Sequence, residues 1–211
     1  MKPFPYIKVP KNMRPHFDSI FDGEYLGSVT NLTLNIHSIL DIGANMGAFT
    51  WWAKNIWPNA HVTAFEPFEN NADIFELNTA ALHSVLLHRR AVTFDTDVKL
   101  YLNADNEGAH SIDSQLVGNL NKGSVDVRTL NPMLLPYADY VKIDAEGVEL
   151  EILDCYVMDL HFRPLLISYE YHRAGDEVKL HNLLSSNGYD MLRGMEFNSD
   201  RGIRNWRKRD A

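Results

Sequence analysis

The run from Ile39 to Thr50, Ile-Leu-Asp-Ile-Gly-Ala-Asn-Met-Gly-Ala-Phe-Thr, narrows most what this chain can fold into, because a short apolar strand breaks into a glycine turn and re-enters as a helix. Glycine lets backbone come close to a ligand, and the helix behind it turns free N–H groups toward the same place. The unit repeats. Ile39–Ile42, Ala48–Trp57, His61–Phe65, Glu69–Leu82 and Val85–Val92 alternate strand-like and helix-like patterns, which predicts a parallel sheet with crossover helices. Pro58-Asn59 ends the first helix and Pro67 stops the second strand.

Further along, Val98–Leu102 and Ser124–Arg128 read as strands around a polar loop, Asn103 to Leu120. Tyr140–Ile143 is a strand, Asp144-Ala145-Glu146-Gly147 a turn, and Glu149–Met158 a helix with Leu150, Leu153 and Val157 on one face. Leu165–Ser168 is the next buried strand, running out into Tyr169-Glu170-Tyr171-His172, and Glu177–Asn187 is a helix closed by Gly188. Tyr189–Phe197 and Ile203–Trp206 flank a turn and predict a terminal antiparallel hairpin. Residues 1 to about 30 hold four of the nine prolines and read as an irregular arm that lids the domain. The expectation is one α/β domain over 1–211, an arm at 1–37 and a core at 38–211 with helices on both faces of a mostly parallel sheet.

Length and charge bound the function. A chain of 211 residues fills one such domain, and a formal charge of −8 argues against non-specific nucleic-acid binding, which rests on neutralising phosphates. No run approaches the roughly 18 apolar residues of a membrane span, and Met1–Pro5 lacks the apolar core of a signal peptide. A cytoplasmic protein with no membrane or nucleic-acid partner is expected. The lone Cys155 reads as a packed thiol. From Arg193 to Ala211 six basic side chains face three acids, which reads as a solvated, partly frayed tail rather than an anion-binding patch.

Ligands of an open α/β sheet lie beyond the carboxyl ends of its strands, and Asp41, Glu66, Asp144 and Glu170 stand at such ends. Glu66, after the second strand, is placed to accept hydrogen bonds from both ribose hydroxyls of an adenosine. The turn then discriminates among adenosine cofactors. A dinucleotide site wants Gly-x-Gly-x-x-Gly, whereas here Asn45 takes the second glycine position and Ala48 the third. A carboxylate in that opening repels a pyrophosphate and suits a sulfonium that carries an ammonium group. S-adenosylmethionine is the expected cofactor.

The blocks Ile39–Phe49 (ILDIGANMGAF), Ala64–Pro67 (AFEP), Ala91-Val92, Val141–Glu149 (VKIDAEGVE) and Tyr169-Glu170 resemble, in order, those of FkbM-type S-adenosylmethionine-dependent methyltransferases. The resemblance runs from about Ser38 to Tyr189. It implies a class I methyltransferase (Rossmann-like) fold, cofactor contacts at Asp41, Gly43, Asn45, Gly47 and Glu66, and O-methyl transfer to a small molecule or sugar. Thr129-Leu130-Asn131 departs from the Thr-Leu-Asp of relatives, which leaves no acid at that point.

A sugar hydroxyl is a poor nucleophile and needs a base or a metal to take its proton. Asp144, Glu146, Glu170 and His172 converge at neighbouring strand ends, so Asp144, Glu170 and His172 are the candidate catalytic residues, and Asp144 and Glu170 could hold a Mg²⁺. His172 reads equally as a general base or as a surface histidine on an edge strand. Glu146 could simply open the following helix, and Glu149 is expected to face solvent or pair locally. Trp51 and Trp52 read as core, the remaining histidines lie outside any ligand spacing, and the Asn103–Ser114 loop joins the arm as a natural lid. Three further readings stay open: a catalytically silent module that binds S-adenosylmethionine, an N-methyltransferase, and a nucleotide-dependent oxidoreductase, the last disfavoured by Asn45.

Overall fold

The computed structural model describes residues 4–6, 8–25, 34–106, 108–158 and 163–209. Parts of the expected arm (1–3, 7 and 26–33), one loop position (107) and the last two residues of the expected tail lie outside them. In chain order the elements are α1 (Arg14–Phe21), β1 (Ser38–Ile42), α2 (Ala48–Ile56), β2 (His61–Phe65), α3 (Glu69–Thr79), β3 (Val85–His88) and β4 (Ala91–Val92). There follow β5 (Val98–Asn103), α4 (Ser114–Val117), β6 (Asn121–Val127), β7 (Thr129–Leu130), β8 (Tyr140–Ile143) and α5 (Glu149–Met158). The chain closes with β9 (Leu166–Tyr171), α6 (Ala174–Ser186), β10 (Tyr189–Glu196) and β11 (Gly202–Lys208).

Seven strands form one sheet in the order β10-β11-β9-β8-β1-β2-β3, parallel except for β11, which runs against both of its neighbours. From β1 the chain steps outward to β2 and β3, and from β8 it steps the other way to β9, with β11 and then the edge strand β10 beyond it. The order therefore reverses between β1 and β8, and the carboxyl ends of these two strands flank the crevice where such folds bind ligands. Strand alternation sorts the core. Ile39 and Tyr140 pack with Phe49, Trp51 and Trp52 of α2, while Leu40, Ile42, Val141 and Ile143 pack with Ile152 and Leu153 of α5 and Leu180 and Leu184 of α6. Helices thus cover both faces, as expected for a parallel sheet.

The arm joins the first of these clusters through Phe4, Met13, Phe17, Ile20 and Tyr25, so its aromatics serve packing, as do both tryptophans. Three expectations need correction. The run Val85–Val92 breaks at Arg89-Arg90, because Arg89 turns out to pair with Glu69, Asp73 and Glu76 of α3, and Ala91-Val92 then pairs with β7. Strand β9 is interior and buried at all six positions, which removes the edge-strand reading of Tyr-Glu-Tyr-His. The basic tail is no frayed end, since β11 inserts between β9 and β10 and buries Arg204, Asn205 and Trp206. Among the described residues no helix is long and apolar enough to cross a membrane.

Candidate active site

Three consecutive features of the turn after β1 follow from its dihedrals. Gly43, Asn45 and Gly47 all have positive φ, of 74°, 49° and 90°, a region open to glycine and tolerated by asparagine. At Gly43 the requirement is also steric, because a Cβ there would sit 1.7 Å from the main-chain oxygen of Asp144. Backbone cannot step aside as a side chain can. Gly43→Ala is therefore expected to cost about 2–3 kcal/mol, read as a shift in the urea midpoint at unchanged slope. A smaller loss would mean that the turn relaxes away from β8.

Glu66 closes the turn from β2. Its carboxylate accepts the Asn45 N–H at 2.8 Å and the Phe68 N–H at 2.9 Å, so one side chain fixes both the glycine turn and the start of α3. Burial pushes its carboxyl up to about 7, against these two N–H groups, which favour the charged form. A cavity opens beside it, lined by Gly43, Asn45, Glu66, Val92, His110 and Asp144 among others. Gly47 does not line it. As the residue before α2 it packs near Phe75 and Thr79.

Asp41 lies behind this wall. It is wholly buried, shares the α2 face of β1 with Ile39, and accepts the Thr50 hydroxyl at 2.7 Å. Its other oxygen stands 3.3 Å from Nζ of Lys142, a lysine buried in the middle of β8. The same ammonium donates to the Gly43 carbonyl at 2.6 Å and stands 3.7 Å from Asp144. Burial works against the Lys142 charge, but Asp41 and then Asp144 outweigh it and hold its pKa above the ordinary value. Asp41 thus reaches the glycine turn through Lys142 and does not touch the cavity.

Asp144, Glu146, Glu149 and Glu170 come together around His172. The His172 ring places Nε2 3.2 Å from Glu146, 3.5 Å from Glu170 and 3.9 Å from Asp144, while Nδ1 stands 3.1 Å from Glu149. Both ring nitrogens therefore lie close to carboxylate oxygens, with a hydrogen bond to Glu149 at Nδ1 and none at Nε2, and this negative surrounding favours the imidazolium. Burial opposes that charge, but Glu146 and Glu149 prevail and hold the His172 pKa well above its ordinary value. That surrounding charge favours the protonated ring and so opposes a general-base role, while burial of the side chain removes the surface reading. Glu149 is buried rather than solvated, accepting the Ala145 and Gly147 N–H groups and so fixing the turn after β8.

The two strand-end acids part in their protonation. Burial raises Asp144, but Lys142, then His172 and Arg201, pull it below the ordinary carboxylate range. Burial, with Asp144 beside it, pushes Glu170 up to about 8 despite Arg201 and His172. Asp144 is the charged member of the pair at neutral pH. Its Oδ1 is buried and receives no hydrogen bond from the described residues.

Ligand atoms of Asp144, Glu170 and His172 lie within 4.8 Å of one another, a separation that suits a divalent ion. The charge does not suit one. Lys142 stands by Asp144, and Arg201 from the turn before β11 hydrogen-bonds Glu170 and stands 3.3 Å from Glu146. The Mg²⁺ expected at Asp144 and Glu170 does not fit the set while these cations stay in place.

Sequence reasoning passed over Lys142, Arg201 and His110. A lysine inside the apolar run Tyr140–Ile143 was a signal for the first, since buried lysine needs a partner. Arg201 and His110 carried none. His110 accepts the Asn103 N–H at Nδ1, and burial, with Lys122 as a lesser cause, lowers its pKa to about 4. Its neutral ring leaves an Nε2–H donor without a partner on the cavity wall. The loop and the arm both reach the site, through Gly108, His110 and Ile112 on one side and His16, Phe17 and Tyr25 on the other.

Comparisons with known proteins agree with this architecture. "Methyltransferase sdnD" of Sordaria araneosa is 25% identical over 193 residues, 74% of each chain. "Methyltransferase 1" of Beauveria bassiana is 27% identical over 140 residues, 54% of this chain and 56% of the relative, so this chain spans about half the length of that protein. Among solved structures, the methyltransferase FkbM of Methylobacillus flagellatus superposes with a TM-score of 0.60 at 17% identity, over 88% of this chain and 47% of that one. The N-methyltransferase NodS of Bradyrhizobium japonicum, bound to S-adenosylhomocysteine, superposes at 0.51 with 10% identity over 99% and 94%. At such identities the likeness shows the class I methyltransferase fold alone. The methyltransferase FkbM domain profile matches residues 41–197, from the first strand-end acid to the terminal hairpin, and the chain belongs to that family.

Proposed function

We propose that this protein is an S-adenosylmethionine-dependent methyltransferase acting on a hydroxyl of a small molecule or sugar, with Asp144 as the proton acceptor. One observation carries the reading: a single cavity is lined by the Gly43–Asn45 turn, by Glu66 and by Asp144, whose Oδ1 has no hydrogen-bond partner among the described residues. The residues fit the donor. Gly43 leaves backbone bare where any Cβ would collide, Glu66 offers a carboxylate to a ribose, and Asn45 Oδ1 and His110 Nε2 are buried polar atoms with no partner among the described residues. When bound, S-adenosylmethionine supplies a methyl group on a positively charged sulfur.

The protein's part is placement and proton handling. Asp144 Oδ1 takes the proton that the acceptor oxygen loses as it gains the methyl, and Lys142 and His172 keep that carboxylate charged until then. Catalysis is tested by S-adenosylhomocysteine release across a panel of polyols, phenols and amines. Turnover of amines alone would support N-methylation, and binding without turnover of any acceptor would support a silent module.

Binding is tested by isothermal titration with S-adenosylmethionine and S-adenosylhomocysteine beside NAD, and a preference for NAD would sink the proposal. Glu66→Ala should weaken donor binding by about 1–3 kcal/mol, the cost of removing a charged hydrogen-bond partner. The pH dependence has a definite sign. Glu66 carries its proton below about 7 and must release it to accept both ribose hydroxyls, so S-adenosylhomocysteine affinity rises with pH through that range and levels off above it. The rise approaches about tenfold per pH unit on the acid side, and Glu66→Gln should flatten it.

A further inference from the structure

We propose that Arg201 is the resident counter-cation of the strand-end acid cluster, so that the site runs without a divalent metal and becomes a divalent-metal site when Arg201 is removed. The geometry assigns it this post. Arg201 stands in the turn between β10 and β11, where its carbonyl accepts the Phe197 N–H at 2.9 Å and the Asn198 N–H at 3.2 Å. The next residue, Gly202, lies so close to β9 that a Cβ would meet the Tyr171 hydroxyl at 2.7 Å and the Met195 carbonyl at 2.4 Å. That tight seat sets the turn over the end of β9.

From there Nε of Arg201 donates to Glu170 Oε1 and Nη2 donates to Glu146 Oε1 at 3.3 Å. A guanidinium cannot shed its charge, and its planar fork uses lone pairs of two carboxylates that a metal would need. Lys142 serves Asp144 in the same way from the other side, at 3.7 Å. Among the described residues of this cluster, Asp144 Oδ1, Glu170 Oε2 and His172 Nε2 have no hydrogen-bond partner. Two carboxylate oxygens with added waters are enough for Mg²⁺ or Mn²⁺ in general, but here such an ion would sit beside a fixed positive charge. Removing that charge leaves Glu170 and Glu146 without their guanidinium partner, beside a half-open cavity lined by Glu146, His172, Asn103, Asp105 and Asn198. A divalent ion is the group that would then relieve them.

The hairpin survives the loss of the side chain, because the turn is held by main-chain hydrogen bonds and Gly202, so substitution at Arg201 probes charge and not folding. The test is Mn²⁺ titration of the wild type, Arg201→Gln, Arg201→Lys and the double variant Arg201→Gln/Asp144→Asn, followed by electron paramagnetic resonance and calorimetry. Arg201→Gln should bind one Mn²⁺ at least about tenfold more tightly than the wild type, as expected when one like charge leaves a buried site. Arg201→Lys, which keeps the charge, should stay with the wild type, and the double variant should lose the gain and so locate the ion.

Wild-type protein that binds Mn²⁺ as tightly as Arg201→Gln, or an Arg201→Gln variant with no gain, would overturn the proposal. Should Arg201→Gln fail to fold, wild-type Mn²⁺ binding that Asp144→Asn abolishes would overturn it, and its absence in both the wild type and Arg201→Lys would uphold it. The readout is ion binding alone, so its failure is distinct from failure of the methyl-transfer reading.

Discussion

Asp144→Asn should lower kcat by about 10²-fold or more, while KM for S-adenosylmethionine changes far less. The asymmetry follows from what the carboxylate touches. Lys142 keeps Asp41 and the Gly43 carbonyl when Asp144 becomes neutral, so the glycine turn and the donor end of the cavity hold their shape. What disappears is a buried carboxylate oxygen of the wall, Oδ1, that has no donor among the described residues. An amide in its place has no basicity to offer the acceptor hydroxyl. Because cations hold Asp144 below the ordinary carboxylate range, it is already ionised at neutral pH, so loss of its charge contributes no acidic limb to kcat above about pH 4. A carboxylate held so low is a weak base, and its value lies in position within a water-poor site. The measurement is S-adenosylhomocysteine release at saturating donor, with calorimetry on the same preparation to confirm donor binding. Turnover at the wild-type rate would take Asp144 out of the chemistry.

The fold was legible because its signals are local and repeated. Strands β1, β2 and β8 end in an acid or a glycine turn, and α2 lies between Gly47 and Pro58, so β1, β2, β8 and the terminal hairpin lie close to where the pattern puts them. The boundaries that slipped are those set by partners elsewhere in the chain. Arg89 interrupts the third strand by answering three acids on α3, and Tyr169–Tyr171 looks like an edge strand only until β11 is laid beside it. Alternation along one strand cannot reveal a neighbour that arrives from the last residues of the chain.

The same limit governs the site. Gly43, Asn45 and Glu66 could be placed from sequence because the turn and the next strand end are tied together by one carboxylate over a short span. Asp144, Glu170 and His172 could be gathered, since strand ends converge, but their protonation could not. His172 looks like a base in isolation, whereas Glu146 and Glu149 on either side of its ring favour the charged form. Charge state belongs to the assembled cluster. Arg201, which reads as part of a solvated basic tail, helps decide it from the far end of the chain.

The acid that opens the whole pattern, Asp41, makes the strongest stability prediction through its partner. Lys142→Met should destabilise the protein by about 3–5 kcal/mol, the usual cost of leaving one member of a buried ion pair without the other. Asp41 is wholly buried, with Thr50 as its other partner, and no water can replace the ammonium. Lys142 also donates to the Gly43 carbonyl at 2.6 Å and the Ile42 carbonyl at 3.3 Å, so the variant loosens the glycine turn itself. The double variant Asp41→Asn/Lys142→Met removes the stranded charge and should recover much of the loss. It should still remain about 1–3 kcal/mol below the wild type, because the carbonyls keep no donor. Urea unfolding of the single and double variants, read as midpoints at a common slope, gives both numbers. A Lys142→Met variant within about 1 kcal/mol of the wild type would show that Asp41 finds another counter-charge, and that the glycine turn owes its shape to Glu66 alone.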